Sequence, residues 1–186
     1  MTFSELSNFY QILHPRPVVL VVTCGRDGRV NVMAASWVTP IAEDEPTIGV
    51  AISRDTYTRK LLDEVPELTI NVPSVDLVDE VWKAGTVSGR DVDKTKILKL
   101  RFSSSEKVKP PHIEDCVGYI EAKIRQIIPI AEVDFVICDV LLAKVRSDLL
   151  YKGQNVDHRK ARILLHVAGR AFSYIRDIVY PKVSER

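Results

Sequence analysis

Residues 29–58 decide the fold of this chain, and they read RVNVMAASWVTPIAEDEPTIGVAISRDTYT. The pattern predicts a strand that ends in the small-residue segment 32–37, then a loop. A second predicted strand runs from Pro46 to Ile52 and leads directly into Ser53–Thr58. Apolar and β-branched runs bounded by Pro, Asp and Glu are typical of strands. The stretch thus places a small-residue strand end close in sequence to a polar helix start.

The two halves of this stretch suit different parts of one ligand. Small residues at a strand end allow a flat ring to lie against the main chain, whose N–H and C=O groups can bind its polar edge. Hydroxyls and the guanidinium of Arg54 gather at a helix start, where free N–H groups favour an anion. Each half also has an ordinary structural explanation, because Ser53 or Asp55 can be the helix cap and Trp37 a core aromatic residue. Together they predict a site for a planar ligand that carries a phosphate.

The rest of the chain predicts hairpins with helices in some of the connections. Strands 18–24 and 30–36 form a hairpin around the turn Arg26–Gly28, and the first of them has the composition of a strand buried on both faces. Further strands are predicted at 68–72, 116–128, 135–145 and 163–167, and helices at 1–14, 55–65, 74–85 and 92–98. This order favours a closed antiparallel barrel with inserted helices over a doubly wound parallel sheet.

Composition limits the class of protein. The 186 residues suit a single domain spanning 1–186, with a lead-in at 1–16 and an extension at 146–186. Because 26 Lys and Arg nearly balance 25 Asp and Glu, no global charge favours nucleic acid or a membrane surface. No apolar run is long enough for a membrane span, and residues 1–5 lack the pattern of a secretory signal. Three widely spaced cysteines suggest buried thiols in a reducing compartment, so we expect a cytoplasmic protein.

Several familiar site motifs are missing from the sequence. It contains no G-x-G-x-x-G turn, no P-loop and no nucleophile elbow. The four histidines are scattered without metal-ligand spacing, so we expect no metal site and assign no catalytic residue. Leu77, Val81 and Trp82 recur at helical spacing and are predicted to be core. Asn31 and Asn71 are unusual in strands, where they either bind a ligand or satisfy backbone groups.

The loop from Gly85 to Lys94 can be read in two ways. It can close over a ligand, with Lys94 adding positive charge, or it can simply join a helix that ends at Gly85 to one capped by Asp.

Taken in order, five segments resemble the flavin reductase-like family of FMN-binding split barrels, which includes flavoredoxins and the reductase components of two-component monooxygenases. The resemblance covers about residues 17–145. Its markers are RDGRVN at 26–31, MAASW at 33–37, AISRDTYT at 51–58, LTINV at 68–72 and G-x-x-SG-x-DVDK at 85–94.

The resemblance implies a mainly β antiparallel split β-barrel with inserted helices, and a homodimer that binds FMN. The ring would contact the backbone around Met33, Ala34, Ala35, Ser36 and Trp37, and Ser53, Arg54, Thr56 and Thr58 would surround the phosphate. Asn71, Ser88 and Lys94 would add contacts, and the flavoredoxin-like C-terminal segment would bring His166 to the flavin.

The implied activity is transfer of electrons from NAD(P)H through FMN to flavin or another acceptor. Hydride transfer between stacked rings needs no protein base, which agrees with the missing catalytic motifs. Many family reductases carry an Asp-His pair where this chain has Glu132-Val133. A non-enzymatic FMN-binding electron carrier or flavin store is therefore the alternative. A third possibility is the same barrel with another ligand, for example haem or a pyridoxal-type phosphate, although the sequence offers no clear axial ligand for haem.

Overall fold

The computed structural model describes residues 1–182, so the last four residues of the predicted C-terminal extension lie outside the described residues. The strands are β1 (Arg16–Pro17), β2 (Val19–Cys24), β3 (Val30–Ala35), β4 (Val38–Ala42), β5 (Thr47–Ser53), β6 (Glu67–Val72), β7 (Phe102–Ser103), β8 (His112–Ile113), β9 (Gly118–Ile130), β10 (Val133–Val145), β11 (Leu150–Tyr151), β12 (Asn155–Val156), β13 (Leu164–Ala168) and β14 (Ala171–Tyr174). The α-helices are α1 (Tyr57–Glu64), α2 (Val78–Thr86), α3 (Lys94–Ile97) and α4 (His158–Ala161), with 3-10 turns at Phe9–Leu13, Val75–Leu77 and Ser147–Leu149.

Seven strands form one sheet in the order β3-β2-β6-β9-β10-β5-β4, and every neighbouring pair is antiparallel. Register shifts in the long β9–β10 pair, at 137/138 and at 140/142, are the irregularities that bend and twist a sheet. Within residues 1–182, β3 and β4 do not pair, although only Ser36 and Trp37 separate them. The predicted complete closure is therefore wrong, and the sheet is open at this seam, where helices α2 and α3 pack against β3.

β2 separates two apolar cores, because successive side chains of a strand point to opposite faces. Leu20 and Val22 pack with Val81 and other residues of one core. Val21 packs on the opposite face with a second core that includes Ile70. The prediction that β2 is buried on both faces is confirmed. The sheet is thus held from both sides, with the α2 side forming one wall of the site described below.

Helix α1 begins at a cap that sequence reasoning did not select. The Thr56 side chain accepts a hydrogen bond from the N–H of Arg59 at 3.2 Å, which is the usual N-cap arrangement. The Ser53 hydroxyl instead donates to the Asp55 carboxylate at 2.6 Å. The prediction of a Ser53 or Asp55 cap is therefore wrong.

Other differences have local causes. The predicted helix at 1–14 is only the 3-10 turn Phe9–Leu13. None of its residues is fully buried, although Tyr10 contacts Trp37, so little apolar surface is covered to stabilise a longer helix. Sequence reasoning missed β4, since Pro40 interrupts its pattern, and it missed β14 and α4. Helix α2 continues through Gly85 to Thr86.

Two expectations from composition can be checked against the described residues. The three cysteines are free and buried, as predicted. None of the described helices is long and apolar enough to cross a membrane.

Candidate functional site

A groove formed by two adjoining cavities runs between β3 and the helices that cover it. The first, called the apolar pocket, has a volume of about 220 Å³ and is lined by Val18, Ala34, Ala35, Ser36, Val81, Trp82, Gly85, Thr86, His166, Gly169 and Phe172. The second, called the polar cleft, has a volume of about 300 Å³ and is lined by Asn31, Met33, Asp55, Thr56, Tyr57, Thr58, Ala84, Gly85, Thr86, Val87, Ser88, Gly89, Arg90 and Lys94. The two cavities share Gly85 and Thr86, so one elongated ligand can occupy both.

One wall of the apolar pocket is nearly bare backbone. Ala34 of β3 faces Gly85 of α2 so closely that a Cβ added to the glycine would lie 3.3 Å from the Cβ of Ala34. The Val32 carbonyl of the same strand accepts a hydrogen bond from Lys94, which indicates that its main-chain groups point away from β2. Because main-chain direction alternates along a strand, those of Ala34 lie on the same edge. The wall can therefore offer both a flat surface and backbone hydrogen-bonding groups.

The opposite wall comes from the turn between β13 and β14. His166, Gly169 and Phe172 line the pocket there. The Nε2 atom of His166 lies 3.2 Å from the Gly169 carbonyl oxygen, while its Nδ1 atom is buried and has no partner among the described residues.

The polar cleft begins at the first turn of α1. The Thr56 side chain accepts a hydrogen bond from the N–H of Arg59. The N–H groups of Tyr57 and Thr58, also in the first turn, have no acceptor within the helix. The Thr58 hydroxyl accepts a hydrogen bond from the Asn31 amide at 2.9 Å and keeps its own proton for another acceptor. This end of the cleft is therefore rich in donors.

Asn31 has an acceptor to spare. The residue is 2% exposed, and its Oδ1 atom has no partner within residues 1–182. A Cβ added to Gly89 would lie only 2.0 Å from that oxygen, so the loop after α2 packs directly on it. A buried acceptor without a donor is unfavourable, and a ligand hydroxyl in the cleft could satisfy it.

Lys94 places a buried positive charge in the same cleft. The residue is 4% exposed, and its ammonium group donates to the carbonyl oxygens of Val32 at 2.7 Å and Ala84 at 2.6 Å. No carboxylate pairs with it in the part of the chain that the structure describes. Burial lowers the pKa of Lys94 from its usual 10.5 to about 8. An anion in the cleft would supply the missing counter-charge.

The structure brings most of the predicted site residues together. Met33, Thr56, Thr58, Ser88 and Lys94 line the polar cleft, and Ala34, Ala35, Ser36 and His166 line the apolar pocket. Trp37, Ser53, Arg54 and Asn71 line neither cavity. Trp37 is 44% exposed and borders an adjacent apolar cavity of about 470 Å³, which Ser36 also lines.

Arg54 and Asn71 have structural partners. Arg54 Nε donates to Asp134 at 2.8 Å, and Arg59 Nε donates to the other oxygen of the same carboxylate at 2.6 Å. These hydrogen bonds, first that of Arg59 and then that of Arg54, lower the pKa of Asp134. Asn71 donates to the Leu20 carbonyl at 3.1 Å and accepts from the N–H of Ile113 at 2.7 Å. Its buried amide thus satisfies backbone groups, which was one of the two explanations for an Asn in a strand.

The sequence leaves open whether Asn31 binds a ligand, and it does not place Trp82 or Thr86 in the site. The rarity of Asn in strands was the available signal for Asn31. The prediction that Trp82 belongs to the core is wrong: it is 36% exposed, lines the apolar pocket, and lies under the Arg170 guanidinium at 5.5 Å from the ring centroid. Helical spacing shows which face is apolar, but it does not distinguish a core from the wall of a pocket.

Fold and groove together define a mainly β protein with a continuous groove at the open seam of its sheet. The chain matches the family model of the flavin reductase like domain over residues 11–163, and it belongs to this family. It is 32% identical to an uncharacterised protein of Pyrococcus abyssi over 171 residues, which cover 92% of this chain and 96% of that protein.

Solved structures agree with this fold. The flavoredoxin of Desulfovibrio vulgaris (Miyazaki F) superposes with a TM-score of 0.85 at 27% identity, covering 99% of this chain and 97% of that one. A putative flavin reductase with a split barrel domain from Shewanella frigidimarina gives a TM-score of 0.87 at 14% identity, covering 99% and 100% of the two chains. The predicted mainly β split barrel with inserted helices is confirmed.

Proposed function

We propose that this chain binds FMN along the groove and acts as an oxidoreductase of the flavin reductase and flavoredoxin type. Electrons would pass from NAD(P)H through FMN to flavin or another acceptor. Membership of the family and the similarity to a flavoredoxin support this function. The observation that carries the choice of FMN is the charge of Lys94, which has no acidic partner within residues 1–182, in the same cleft as the first turn of α1.

The polar cleft fits a phosphate monoester. Such a group carries close to two negative charges at neutral pH and accepts several hydrogen bonds. Lys94, the Thr58 hydroxyl and the first N–H groups of α1 would hold it, and the spare oxygen of Asn31 would accept from the ribityl chain. Asp55 also lines the cleft, and its carboxylate already accepts a hydrogen bond from the Ser53 hydroxyl.

The apolar pocket fits the ring system. FMN supplies the hydride-accepting chemistry when it is bound, so the protein needs no general base. The main-chain groups of Ala34 would bind the polar edge of the ring, and Trp82 and Phe172 would exclude water from its faces. Donors fixed in such a low-dielectric site stabilise the negative charge that reduction adds.

Spectroscopy on the purified protein tests this function. The protein stripped of ligand should bind FMN with a shift of the flavin absorbance and should bind riboflavin more weakly. Anaerobic mixing with NADH or NADPH should then bleach the bound flavin within seconds. Failure to bind any flavin would refute the proposal.

One observation favours the alternative of a non-enzymatic electron carrier or flavin store. Val133 stands where the resemblance places a histidine. It lines the adjacent cavity of about 470 Å³, together with Ser36 and Trp37, and not the apolar pocket. That wall offers no imidazole to a nicotinamide. Bleaching by dithionite but not by either nicotinamide nucleotide would select the carrier.

We also propose that the protein is a cytoplasmic homodimer. Apolar side chains at the N-terminus, including Phe9, Ile12 and Leu13, are exposed in the single chain, as are Trp37 and Ile130. Exposed apolar clusters of this kind are typical of protein interfaces. Light scattering coupled to gel filtration should give twice the mass of the chain, and a monomeric mass would contradict the dimer.

A further inference from the structure

His166 carries a hydrogen-bond acceptor that no protein group uses. Its Nε2 atom lies 3.2 Å from the Gly169 carbonyl oxygen, which can only accept, so Nε2 carries the proton. In the neutral ring Nδ1 is then an acceptor and cannot donate. That atom is buried in the wall of the apolar pocket and has no partner among the described residues.

The neighbouring histidine cannot provide the missing donor. The rings of His14 and His166 lie 5.2 Å apart between centroids. His14 Nε2 accepts from the Arg16 guanidinium at 2.6 Å, so the His14 proton is on Nδ1, which donates to the Val167 carbonyl. Both nitrogens of His14 are therefore engaged.

The remaining surroundings of His166 do not supply a donor either. Phe172 lies against it at 5.5 Å between ring centroids and is apolar. Arg16 faces His166 across the β1–β13 pair, but its buried Nε atom has no hydrogen-bond partner among the described residues, so it does not donate to His166. Nδ1 thus accepts no hydrogen bond from the described residues, and a ligand in the pocket can supply the donor.

We infer that His166 Nδ1 accepts a hydrogen bond from the imide N3–H of the flavin ring. This inference rests on the proposed binding of FMN. The oxidised isoalloxazine system has a single N–H donor, at N3, since its N1, N5, O2 and O4 atoms can only accept. An Nδ1 atom that can only accept has no other partner on that ring. His166 is thus a positioning residue that orients the ring by its pyrimidine edge.

Binding of FMN and of 3-methyl-FMN tests this role directly. Both dissociation constants are measured by titration calorimetry at pH 8, where an ordinary imidazole is neutral. The unaltered protein should bind FMN about 10-fold more tightly than the methylated analogue, the equivalent of about 1.4 kcal/mol. His166→Ala removes the acceptor and vacates space for the methyl group, so the two ligands should bind about equally. His166→Asn, whose side-chain oxygen can replace Nδ1, should restore most of the preference.

A matched control comes from another histidine with a buried, unpartnered Nδ1. His112 stacks on Tyr119 at 3.9 Å and lines neither cavity, so His112→Ala should keep the preference of the unaltered protein. Equal affinities for the two ligands in the unaltered protein, or an unchanged preference in His166→Ala, would overturn the role of His166 while leaving FMN binding intact. Absence of FMN binding by the unaltered protein would instead refute the proposed function.

Discussion

Replacing Lys94 by methionine should separate recognition of the phosphate from recognition of the ring. The ammonium group is buried, donates to two carbonyl oxygens and has no acidic partner in the described chain. A hydrogen bond to a charged group contributes about 1.5–3 kcal/mol. Lys94→Met should therefore weaken FMN binding by about 10- to 150-fold. Riboflavin, which lacks the phosphate, should bind the two proteins with similar affinity.

The pKa of Lys94 adds a second signature, in the pH dependence of binding. Because burial lowers it to about 8, the free protein loses this charge above about pH 8. A bound phosphate favours the charged form and raises the pKa again. FMN affinity should thus fall with pH above about 8, approaching a tenfold loss per unit. Lys94→Met should show no such fall.

Stability of the ligand-free protein should respond to pH in the opposite direction. The lowered pKa means that the unfolded chain binds more protons than the folded one between about pH 8 and 10.5. The free energy of unfolding should therefore rise with pH across this window, relative to Lys94→Met. A shift from 10.5 to about 8 corresponds to roughly 3 kcal/mol at most. Urea unfolding of both proteins at several pH values measures this change in the free energy of unfolding.

Isothermal titration at pH 7, 8 and 9 with both flavins provides the binding data. Lys96→Met is a suitable control, because the Lys96 side chain is 79% exposed, pairs with Asp93 and lines neither cavity. Equal losses for FMN and riboflavin in Lys94→Met would place the phosphate elsewhere. So would an FMN affinity that does not depend on pH.

Three further substitutions test other parts of the groove. Arg54→Ala should change FMN affinity by less than about threefold, because Arg54 pairs with Asp134 outside the cleft and half-exposed ion pairs contribute little; a larger loss in a titration would restore Arg54 as a phosphate ligand. Gly89→Ala should lower the free energy of unfolding by about 1–3 kcal/mol and weaken FMN binding, because the Cβ of the new alanine would overlap the Asn31 amide. Denaturant unfolding measures the loss of stability, and an unchanged stability would show that the loop moves freely. Trp82→Leu should weaken FMN and riboflavin alike, by about 2- to 12-fold for a lost aromatic contact, whereas a loss confined to FMN would place Trp82 at the phosphate.

The strands were predictable where the physical signal is local. β-branched residues on either side of the Asp27-Gly28 turn predict β2 and β3, and Pro73 predicts the end of β6. Pairing across the sheet is not local, so the open seam beside Trp37 could not be read from periodicity. The N-terminal apolar periodicity predicted a helix, although such a helix is stable only where its apolar face is covered.

The site was predictable as a set of segments and less so as individual contacts. Sequence showed that hydroxyls and cations gather at 53–58 and 88–94, and the structure brings both segments to one cleft. It could not show that Asp134, some 80 positions later, would engage Arg54. Nor could it show that Lys94 would be buried without an acidic partner, since burial depends on how α3 packs against β3.

The position of β3 at the edge of the sheet has a consequence for producing the protein. Edge strands present unpaired main-chain groups that can template association with another chain. Lys94 covers one such group, the Val32 carbonyl, and a ligand bound against Ala34 would cover the next stretch of strand. The cofactor would then bind the main-chain groups of β3 that an eighth strand would otherwise pair. Cells starved of riboflavin should accordingly yield more aggregated protein, and cells supplied with it more soluble protein.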